Sequence, residues 1–345
     1  MKHKIEIIPF RCQLTDPFGI SRDVSTYRDI LIIQVDGGWG EAAPNAFYKE
    51  NQASAKEALL RIQDLDLPDL DYIEDVQAVV EKYIPGERAA KAAFNMALYD
   101  RLGKKFGQPL YRMFGLNPSK KMMTSFTIGI DTLDVMMQKV EKSKQYDILK
   151  IKIGKDPEHD VRVMKEIRKA CPNTTIRVDM NAGYTLEQAQ EVCKALFDLG
   201  IEYAEQPLAK RNFEQLAILK KNSPLPIIVD EDSMVCKDLP QLVGLVDGIN
   251  IKLMKSGGLT EALKMVAMAQ AYDFKIMIGC MVETSLAVTA ASHLAPYCDY
   301  IDLDGSLLTS NDPFIGTKFS PNGQMFLSND AGIGATLRNE NALGQ

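Results

Sequence analysis

The sequence predicts an α/β fold in which a (β/α)8 barrel of the TIM type is joined to a smaller α+β domain. Between about residues 120 and 305, short β-branched runs that end in a charged or small polar residue alternate with amphipathic helical segments. The strand ends recur at intervals of one strand plus one helix, for example 27 residues from 152 to 179. Eight such strands are the number that closes a parallel barrel. They are predicted at residues 124–129, 148–153, 175–179, 201–205, 226–230, 248–252, 275–279 and 300–304.

The first 120 residues have a different pattern. Two segments of alternating hydrophobicity, 4–9 and 30–35, predict strands joined across a turn-rich loop, and helical segments follow. Residues 88–106 predict a helix with alanines along one side, and Gly107 is a typical C-terminal stop. The C-terminal tail carries another short strand pattern and is expected to return to the first domain. The predicted division is an α+β capping domain (1–120), a barrel (121–305) and a tail (306–345).

Composition excludes several classes of function. The net charge is −6, from 40 basic and 46 acidic residues, and no dense basic run suggests a nucleic-acid partner. No apolar stretch is long enough to span a membrane and no signal peptide is recognisable, so we expect a cytoplasmic protein, which can be a homo-oligomer. Scattered cysteines and three histidines argue against disulfides and zinc. Acid–base chemistry is therefore expected to rest on lysines or carboxylates.

Three successive barrel strands each end in a carboxylate. Asp179, Glu205 and Asp230 end the third, fourth and fifth strands, and the carboxyl ends of barrel strands carry the functional residues in this architecture. Three converging negative charges need a cation, and oxygen ligands favour Mg²⁺, with Mn²⁺ as the alternative, at one ion per subunit. The competing interpretation is that neighbouring lysines neutralise the three carboxylates.

Two lysines flank these carboxylates. Lys152 ends the second strand and Lys252 the sixth, and strands four apart in an eight-stranded barrel face each other across its mouth. A ligand held between them would present one face to each lysine, which suits removal of a proton on one side and its return on the other. Since an ordinary lysine has a pKa of about 10.4, a lysine base needs nearby positive charge, which Lys150 and the metal could supply.

The same residues form motifs that are specific in combination. They are KIK at 150–152, DMN at 179–181, EQP at 205–207, DE at 230–231 and KLMKSGG at 252–258. Together they resemble the muconate lactonizing subgroup of the enolase superfamily, and the resemblance extends over essentially the whole chain. It implies a Mg²⁺ enzyme in which Lys150 assists at the substrate electrostatically and Asn181 orients a metal-binding carboxylate. Glu283, which follows the seventh strand, is a further candidate for substrate binding.

The end of the eighth strand bears on the reaction, because members of the subgroup differ in activity. Asp302 and Asp304 look like the Asp-x-Asp pair with which dipeptide epimerases hold the substrate ammonium group. Alternation along a strand directs both carboxylates to the mouth and Leu303 into the wall. A loop pair capped by backbone amides is the competing interpretation. The resemblance therefore implies a dipeptide substrate, with L-Ala-D/L-Glu as the default.

Side-chain specificity stays open. Members that favour a terminal glutamate carry an arginine in the loop after Pro17 and Phe18, where the gapless match here is Asp23. Arg22 lies one residue away, so a shift in register could bring it to the substrate. A broader or less acidic dipeptide preference is equally consistent with the sequence.

The resemblance implies an isomerase that performs a 1,1-proton transfer. The C-terminal carboxylate of the dipeptide would bind Mg²⁺, one lysine would remove the α-proton, and the other would reprotonate the enediolate. Loops 18–28 and 43–51 would close over the substrate, and recycling of cell-wall peptides is a natural setting. One alternative is an o-succinylbenzoate synthase or cycloisomerase of the same subgroup, and another is a non-catalytic metal-binding scaffold.

Overall fold

The computed structural model of the protein describes residues 4–20 and 24–344. The chain begins with an antiparallel sheet in the order β1 (Ile5–Gly19), β2 (Val24–Val35) and β3 (Gly38–Ala42). β1 and β2 are longer than predicted, because the expected turn-rich loop continues the pairing past an irregularity between Gln13 and Phe18. The glycine-rich segment after β2 was not predicted as a strand, but it forms β3.

Four helices complete the N-terminal domain, namely α1 (Gln52–Gln63), α2 (Ile73–Tyr83), α3 (Arg88–Phe106) and α4 (Leu110–Met113). The helix predicted at 88–106 is confirmed, and Gly107 ends it in a left-handed conformation with φ of 64°. β3 lies directly against α3. A Cβ added to Gly40 would lie 2.0 Å from the carbonyl oxygen of Ala93, so only a glycine allows this close approach.

The predicted barrel is confirmed. Eight parallel strands, β5 to β12, follow one another in chain order, and a parallel bridge between Thr124 and Ile301 brings the first and last strands together in a nearly closed barrel. In chain order the elements are β4 (Met122–Met123), β5 (Phe126–Ile128), α5 (Leu133–Lys142), β6 (Ile148–Lys152), α6 (Pro157–Ala170), β7 (Thr175–Asp179), α7 (Leu186–Asp198), β8 (Ala204–Glu205), α8 (Phe213–Asn222), β9 (Ile227–Val229), β10 (Gly248–Lys252), α9 (Leu253–Ser256), α10 (Leu259–Ala271), β11 (Lys275–Gly279), α11 (Ser285–Ser292) and β12 (Tyr300–Asp302).

The tail contains four short strands, β13 (Phe314–Ile315), β14 (Lys318–Phe319), β15 (Gln324–Phe326) and β16 (Thr336–Leu337). It contacts the N-terminal domain, since the ring of Phe314 packs edge-on against Trp39 and the Ile333 amide donates to the Asp100 carboxylate. β15 pairs with β4 beside the barrel. The boundaries at residues 120 and 305 stay predictions. Among the helices of the described residues, none has the length and apolar character of a membrane span.

Candidate active site

A cleft of about 850 Å³ lies between the carboxyl ends of the barrel strands and the N-terminal domain. The N-terminal domain contributes a largely apolar wall that includes Phe18, Ile20, Arg28, Ile30 and Phe47. The barrel contributes a charged floor that includes Lys152, Asp230, Lys252, Asp302 and Asp304. Most of the residues predicted for the site therefore line one cleft at the expected end of the barrel.

The three predicted metal ligands are buried at the ends of consecutive strands. Asp179 and Glu205 are register partners on β7 and β8, and Asp230 directly follows β9. The Asn250 side chain donates to Glu205 Oε1 at 2.8 Å. Asp179 Oδ1 accepts from the backbone amide of Asn181 at 2.9 Å, so it is the main chain of Asn181, with φ of 43°, that orients this carboxylate.

Lysines contact these carboxylates directly. Lys150 Nζ lies 2.6 Å from Glu205 Oε2, 2.6 Å from Asp302 Oδ2 and 3.3 Å from Asp179 Oδ2. Burial by itself would lower the pKa of Lys150, but these carboxylates raise it well above its usual value. Lys150 is 1% exposed and does not line the cleft. Lys150 therefore presents no surface to the cleft, and its electrostatic role stays a prediction.

Lys152 and Lys252 do line the cleft, on β6 and β10, which are four strands apart around the barrel. Lys152 Nζ contacts Asp179 Oδ2 at 2.5 Å, and Lys252 Nζ contacts Asp230 Oδ2 at 2.9 Å. Burial would lower the pKa of Lys252, but Asp230 and Glu205 outweigh it and raise the pKa. At Lys252 the shift of the pKa is therefore opposite to the lowering expected for a lysine base, because its nearest charges are carboxylates.

A fourth lysine buried at this site, Lys255, belongs to the KLMKSGG motif, which by itself indicates no role for it. Its ammonium contacts Asp230 Oδ1 and the Asp230 carbonyl oxygen, both at 2.5 Å, and the Asn250 carbonyl oxygen at 2.9 Å. It therefore fixes the segment that carries Asp230 against β10. Burial would raise the pKa of Asp230, but Lys252 and Lys255 hold it well below its usual range.

Each of the three carboxylates is paired with a lysine in this structure. In the part of the chain that the structure describes, no three acidic, histidine or cysteine side chains stand together as a metal site. The contacts give the reason, since each predicted ligand is turned toward a lysine. Glu205 Oε2 and Asp230 Oδ1 are buried, and each lies against a lysine ammonium, Lys150 at 2.6 Å and Lys255 at 2.5 Å. These are oxygen atoms of the type that a hard divalent cation binds.

Asp302, the last residue of β12, and Asp304, two residues beyond it, line the cleft together, while Leu303 between them is fully buried. They differ in their partners. Asp302 pairs with Lys150 and accepts from Ser125 Oγ at 2.6 Å. Asp304 accepts from the Thr127 amide at 2.6 Å, and burial together with the charge of Asp302 raises the pKa of Asp304 to about 7. Of the two aspartates, Asp302 therefore has a lysine partner, whereas the contact described for Asp304 is with a backbone amide.

Glu283 does not line the cleft, contrary to the prediction of a substrate contact. Its carboxylate turns back to accept from the Met281 amide at 2.8 Å and is 1% exposed. Burial, followed by the charge of Glu41, raises its pKa to about 8. Glu41 itself accepts from the backbone and hydroxyl of Thr284 at the start of α11. Both glutamates thus belong to the contact between β3 and the barrel.

Two further predictions concern the loops of the N-terminal domain. Arg22 lies outside the described residues. In the second loop, the Ala43 amide donates to Met254 Sδ at 3.3 Å, and Lys210 Nζ lies 5.1 Å from the centroid of the Phe47 ring. This loop therefore rests on the barrel and covers the cleft from one side.

Sequence comparison places this fold and site in a wider group. Residues 135–342 match the family described as enolase C-terminal domain-like. Residues 3–115 match the N-terminal domain family of mandelate racemase and muconate lactonizing enzyme. A capping domain above a barrel that carries acidic and lysine side chains at its strand ends defines a class of barrel enzymes. The chain belongs to the enolase superfamily, in its mandelate racemase and muconate lactonizing group.

Three similar proteins have named activities. An L-Ala-D/L-amino acid epimerase of Pedosphaera parvula is 37% identical over 97% of this chain and 99% of the relative. An L-Ala-D/L-Glu epimerase of Bacteroides thetaiotaomicron is 38% identical over 96% of this chain and 88% of the relative. The crystal structure of a dipeptide epimerase from Cytophaga hutchinsonii, with Mg and D-Ala-L-Val, is 28% identical. It aligns with a TM-score of 0.94 over 100% of this chain and 98% of its own.

Proposed function

We propose that this protein is a dipeptide epimerase, an isomerase that inverts the configuration at the α-carbon of the C-terminal residue. The observation that carries the proposal is the arrangement of the cleft, where Lys152 and Lys252 face each other from strands four apart and Asp304 lies on the same floor. The similar proteins support it, since each is an epimerase by name. No observation specifically favours a lyase of the same group or a non-catalytic scaffold.

The donor chemistry of the site fits Mg²⁺. Asp179, Glu205 and Asp230 would hold one ion per chain, with Mn²⁺ as a substitute, because all three are buried carboxylates at the ends of consecutive strands. When bound, the ion would supply a positive charge for the substrate carboxylate and for the negative charge that develops at the α-carbon. The lysine contacts of these carboxylates would have to be exchanged for metal contacts, which would leave Lys152 and Lys252 less strongly paired.

The two lysines would then perform the proton transfer. Lys152 would act from the β6 side of the cleft and Lys252 from the β10 side, each as base for one epimer and as acid for the other. Lys150, buried behind them between Glu205 and Asp302, would add positive charge without touching the substrate. The loop that contains Ala43 and Phe47 would exclude water from the cleft.

The substrate ammonium would bind at the end of β12. Asp302 is already paired with Lys150, so Asp304 would provide most of the charge and the Thr127 amide would keep its carboxylate in place. This arrangement calls for a free N-terminus and distinguishes a dipeptide from the acids on which lyases of the group act, because those acids carry no ammonium group.

The side chain of the preferred dipeptide stays a separate question. The similar proteins carry names or ligands with glutamate, with unspecified amino acids and with D-Ala-L-Val. L-Ala-D/L-Glu is the default, while the apolar cleft wall is compatible with a broader preference. A cytoplasmic location, a homo-oligomeric state and a role in cell-wall peptide recycling stay predictions.

The direct test is a dipeptide library incubated with the protein and Mg²⁺ in D₂O, followed by mass spectrometry for deuterium at the α-carbon. We expect exchange for a subset of free dipeptides, its loss after chelation and its recovery with Mg²⁺. A parallel incubation with succinyl-cyclohexadiene acids tests the lyase alternative. Conversion of those acids without any dipeptide exchange would refute the proposal.

A further inference from the structure

A second cavity lies beside the cleft, between β1, the outer side of β5 and α5. It measures about 740 Å³ and shares Phe18, Thr127 and Leu308 with the cleft. We call it the side cavity, and its apolar lining consists of Phe18, Phe126, Ile128, Tyr146, Leu307 and Leu308. The rings of Phe126 and Tyr146 stack with centroids 4.4 Å apart and form one flat face.

The charged groups of the side cavity lie toward solvent or are already paired. Asp16 and Lys142 are exposed. Lys139 Nζ is bound to the Pro17 carbonyl oxygen at 3.1 Å and to Asp131 at 3.3 Å. The part that adjoins the cleft therefore offers carbon surface, which favours an apolar occupant over a charged one.

The position of the side cavity is fixed relative to Asp304. The Thr127 amide donates to Asp304 Oδ2 at 2.6 Å, and Thr127 lines both cavities. An ammonium group on Asp304 would lie about 2.8 Å from the carboxylate oxygen. Its own α-carbon is about 1.5 Å further on. The side chain on that carbon therefore starts next to the boundary formed by Phe18, Thr127 and Leu308.

We propose that the side cavity is the subsite for the N-terminal side chain of the dipeptide, and that it takes apolar side chains larger than alanine. The inference rests on the proposed function, because it uses Asp304 as the ammonium site. Phe18 and Leu308 form the entrance, and the stacked rings of Phe126 and Tyr146 form the far wall. The natural substrates then include dipeptides with leucine or phenylalanine at the N-terminus.

The test compares the parent protein with a variant that fills the side cavity from behind. Leu307 lines the side cavity but not the cleft, so Leu307→Trp reduces the space without adding bulk to the floor. The C-terminal residue is whichever one the D₂O library favours, and the N-terminal residue is alanine, leucine or phenylalanine. The quantity measured is the ratio of kcat/KM for the leucine or phenylalanine dipeptide to kcat/KM for the alanine dipeptide.

We expect the parent to turn over all three dipeptides and Leu307→Trp to lower the ratio about tenfold or more. Leu307 also borders a groove toward the tail, so Ile315→Trp, which borders that groove alone, is the matched control and should leave the ratio unchanged. An unchanged ratio in Leu307→Trp, or no turnover of the larger dipeptides by the parent, would overturn the inference. Absence of exchange with every dipeptide would instead refute the proposed function.

Discussion

At the scale of single residues, Asp302 and Asp304 are chemically unequal although both line the cleft. Lys150 and Ser125 satisfy Asp302, whereas the Thr127 amide is the hydrogen-bond donor to Asp304. Burial and the neighbouring Asp302 charge make the anionic form of Asp304 costly, as its raised pKa of about 7 records. A bound ammonium group would remove that cost, which is a physical reason for a cationic substrate.

This inequality predicts the effect of blocking the substrate amine. N-acetylation of a dipeptide removes the positive charge that Asp304 would bind, and a hydrogen bond between charged groups contributes about 1.5–3 kcal/mol. We expect kcat/KM to fall about 10- to 100-fold on acetylation in the parent protein, and the difference to shrink in Asp304→Asn. Steady-state kinetics on the matched pair of substrates measures both. Equal kcat/KM for free and acetylated dipeptides in the parent would exclude an ammonium site on β12.

Strand-end position was enough to predict that the charged residues of the floor line one cleft. Alternation does not account for Asp304, because β12 ends at Asp302. The same rules could not predict how Asn181 and Glu283 act. Asn181 contributes its main-chain amide, which depends on a left-handed backbone rather than on residue type. Glu283 turns toward Met281 and away from the cleft. Alternation on β10 could have indicated Asn250, two residues before Lys252, as a partner of Glu205.

At the scale of elements, the close contact between β3 and α3 determines how the N-terminal domain is built. A side chain at Gly40 would collide with the Ala93 carbonyl oxygen, which belongs to a helix backbone and cannot move aside cheaply. We expect Gly40→Ala to lower the free energy of unfolding by at least about 1–3 kcal/mol, as measured by urea denaturation.

Gly200→Ala is the matched control for this substitution. At Gly200 a Cβ would meet no atom within 4 Å, but φ is +67°, so the cost there is limited to about 1–2 kcal/mol of backbone strain. If Gly40→Ala were as stable as the parent, the tight packing of β3 on α3 would be wrong.

The elements differ in how much the sequence reveals about them. The barrel strands were predictable because each is a short β-branched run that ends in a polar residue, and α3 because its alanines and Gly107 give a clear face and stop. β3 was missed because glycines at positions 38 and 40 are typical of a turn. Glycine is needed there because a side chain at either position would collide with the backbone of α3. In the tail the sequence shows only one short strand pattern, because strands of two or three residues are too short for each to leave a period of its own.

At the scale of the whole molecule, His293 joins three separate parts of the chain. It ends α11, its Nδ1 accepts from the Tyr111 amide at 3.2 Å, and its Nε2 donates to the Ile333 carbonyl oxygen at 2.8 Å. It is fully buried, and burial lowers its pKa from 6.5 to about 4. Protonation would add a second N–H where the Tyr111 amide already donates.

The lowered pKa of His293 predicts acid sensitivity. A histidine whose pKa is lower in the folded than in the unfolded state stabilises the fold above pH 6.5, and this stabilisation is lost as the pH falls toward 4. The loss amounts to about 3 kcal/mol. The measurement is the fall in unfolding free energy between pH 7.5 and pH 4.5. We expect this fall to be smaller in His293→Gln than in the parent by about that amount.

His159→Gln serves as the control for this comparison, because His159 lies on the partly exposed side of α6 next to Asp160. Its change in stability between the two pH values should match that of the parent to within about 0.5 kcal/mol. The same acid destabilisation in His293→Gln as in the parent would show that His293 is not the group that titrates.

In the proposed mechanism, two lysines on opposite sides of the cleft transfer the proton. Isotope exchange in the two single variants distinguishes this mechanism from one that uses a single lysine. In D₂O with Mg²⁺, Lys152→Ala and Lys252→Ala should each lose about 10²- to 10⁴-fold in epimerisation. Each variant should still exchange the α-proton of one epimer, and the epimer that exchanges should differ between the two variants. NMR follows this exchange. Lys155→Ala, which changes an exposed lysine near the cleft, should behave as the parent does. If either lysine variant interconverted both epimers at the parent rate, the two-lysine mechanism would be contradicted.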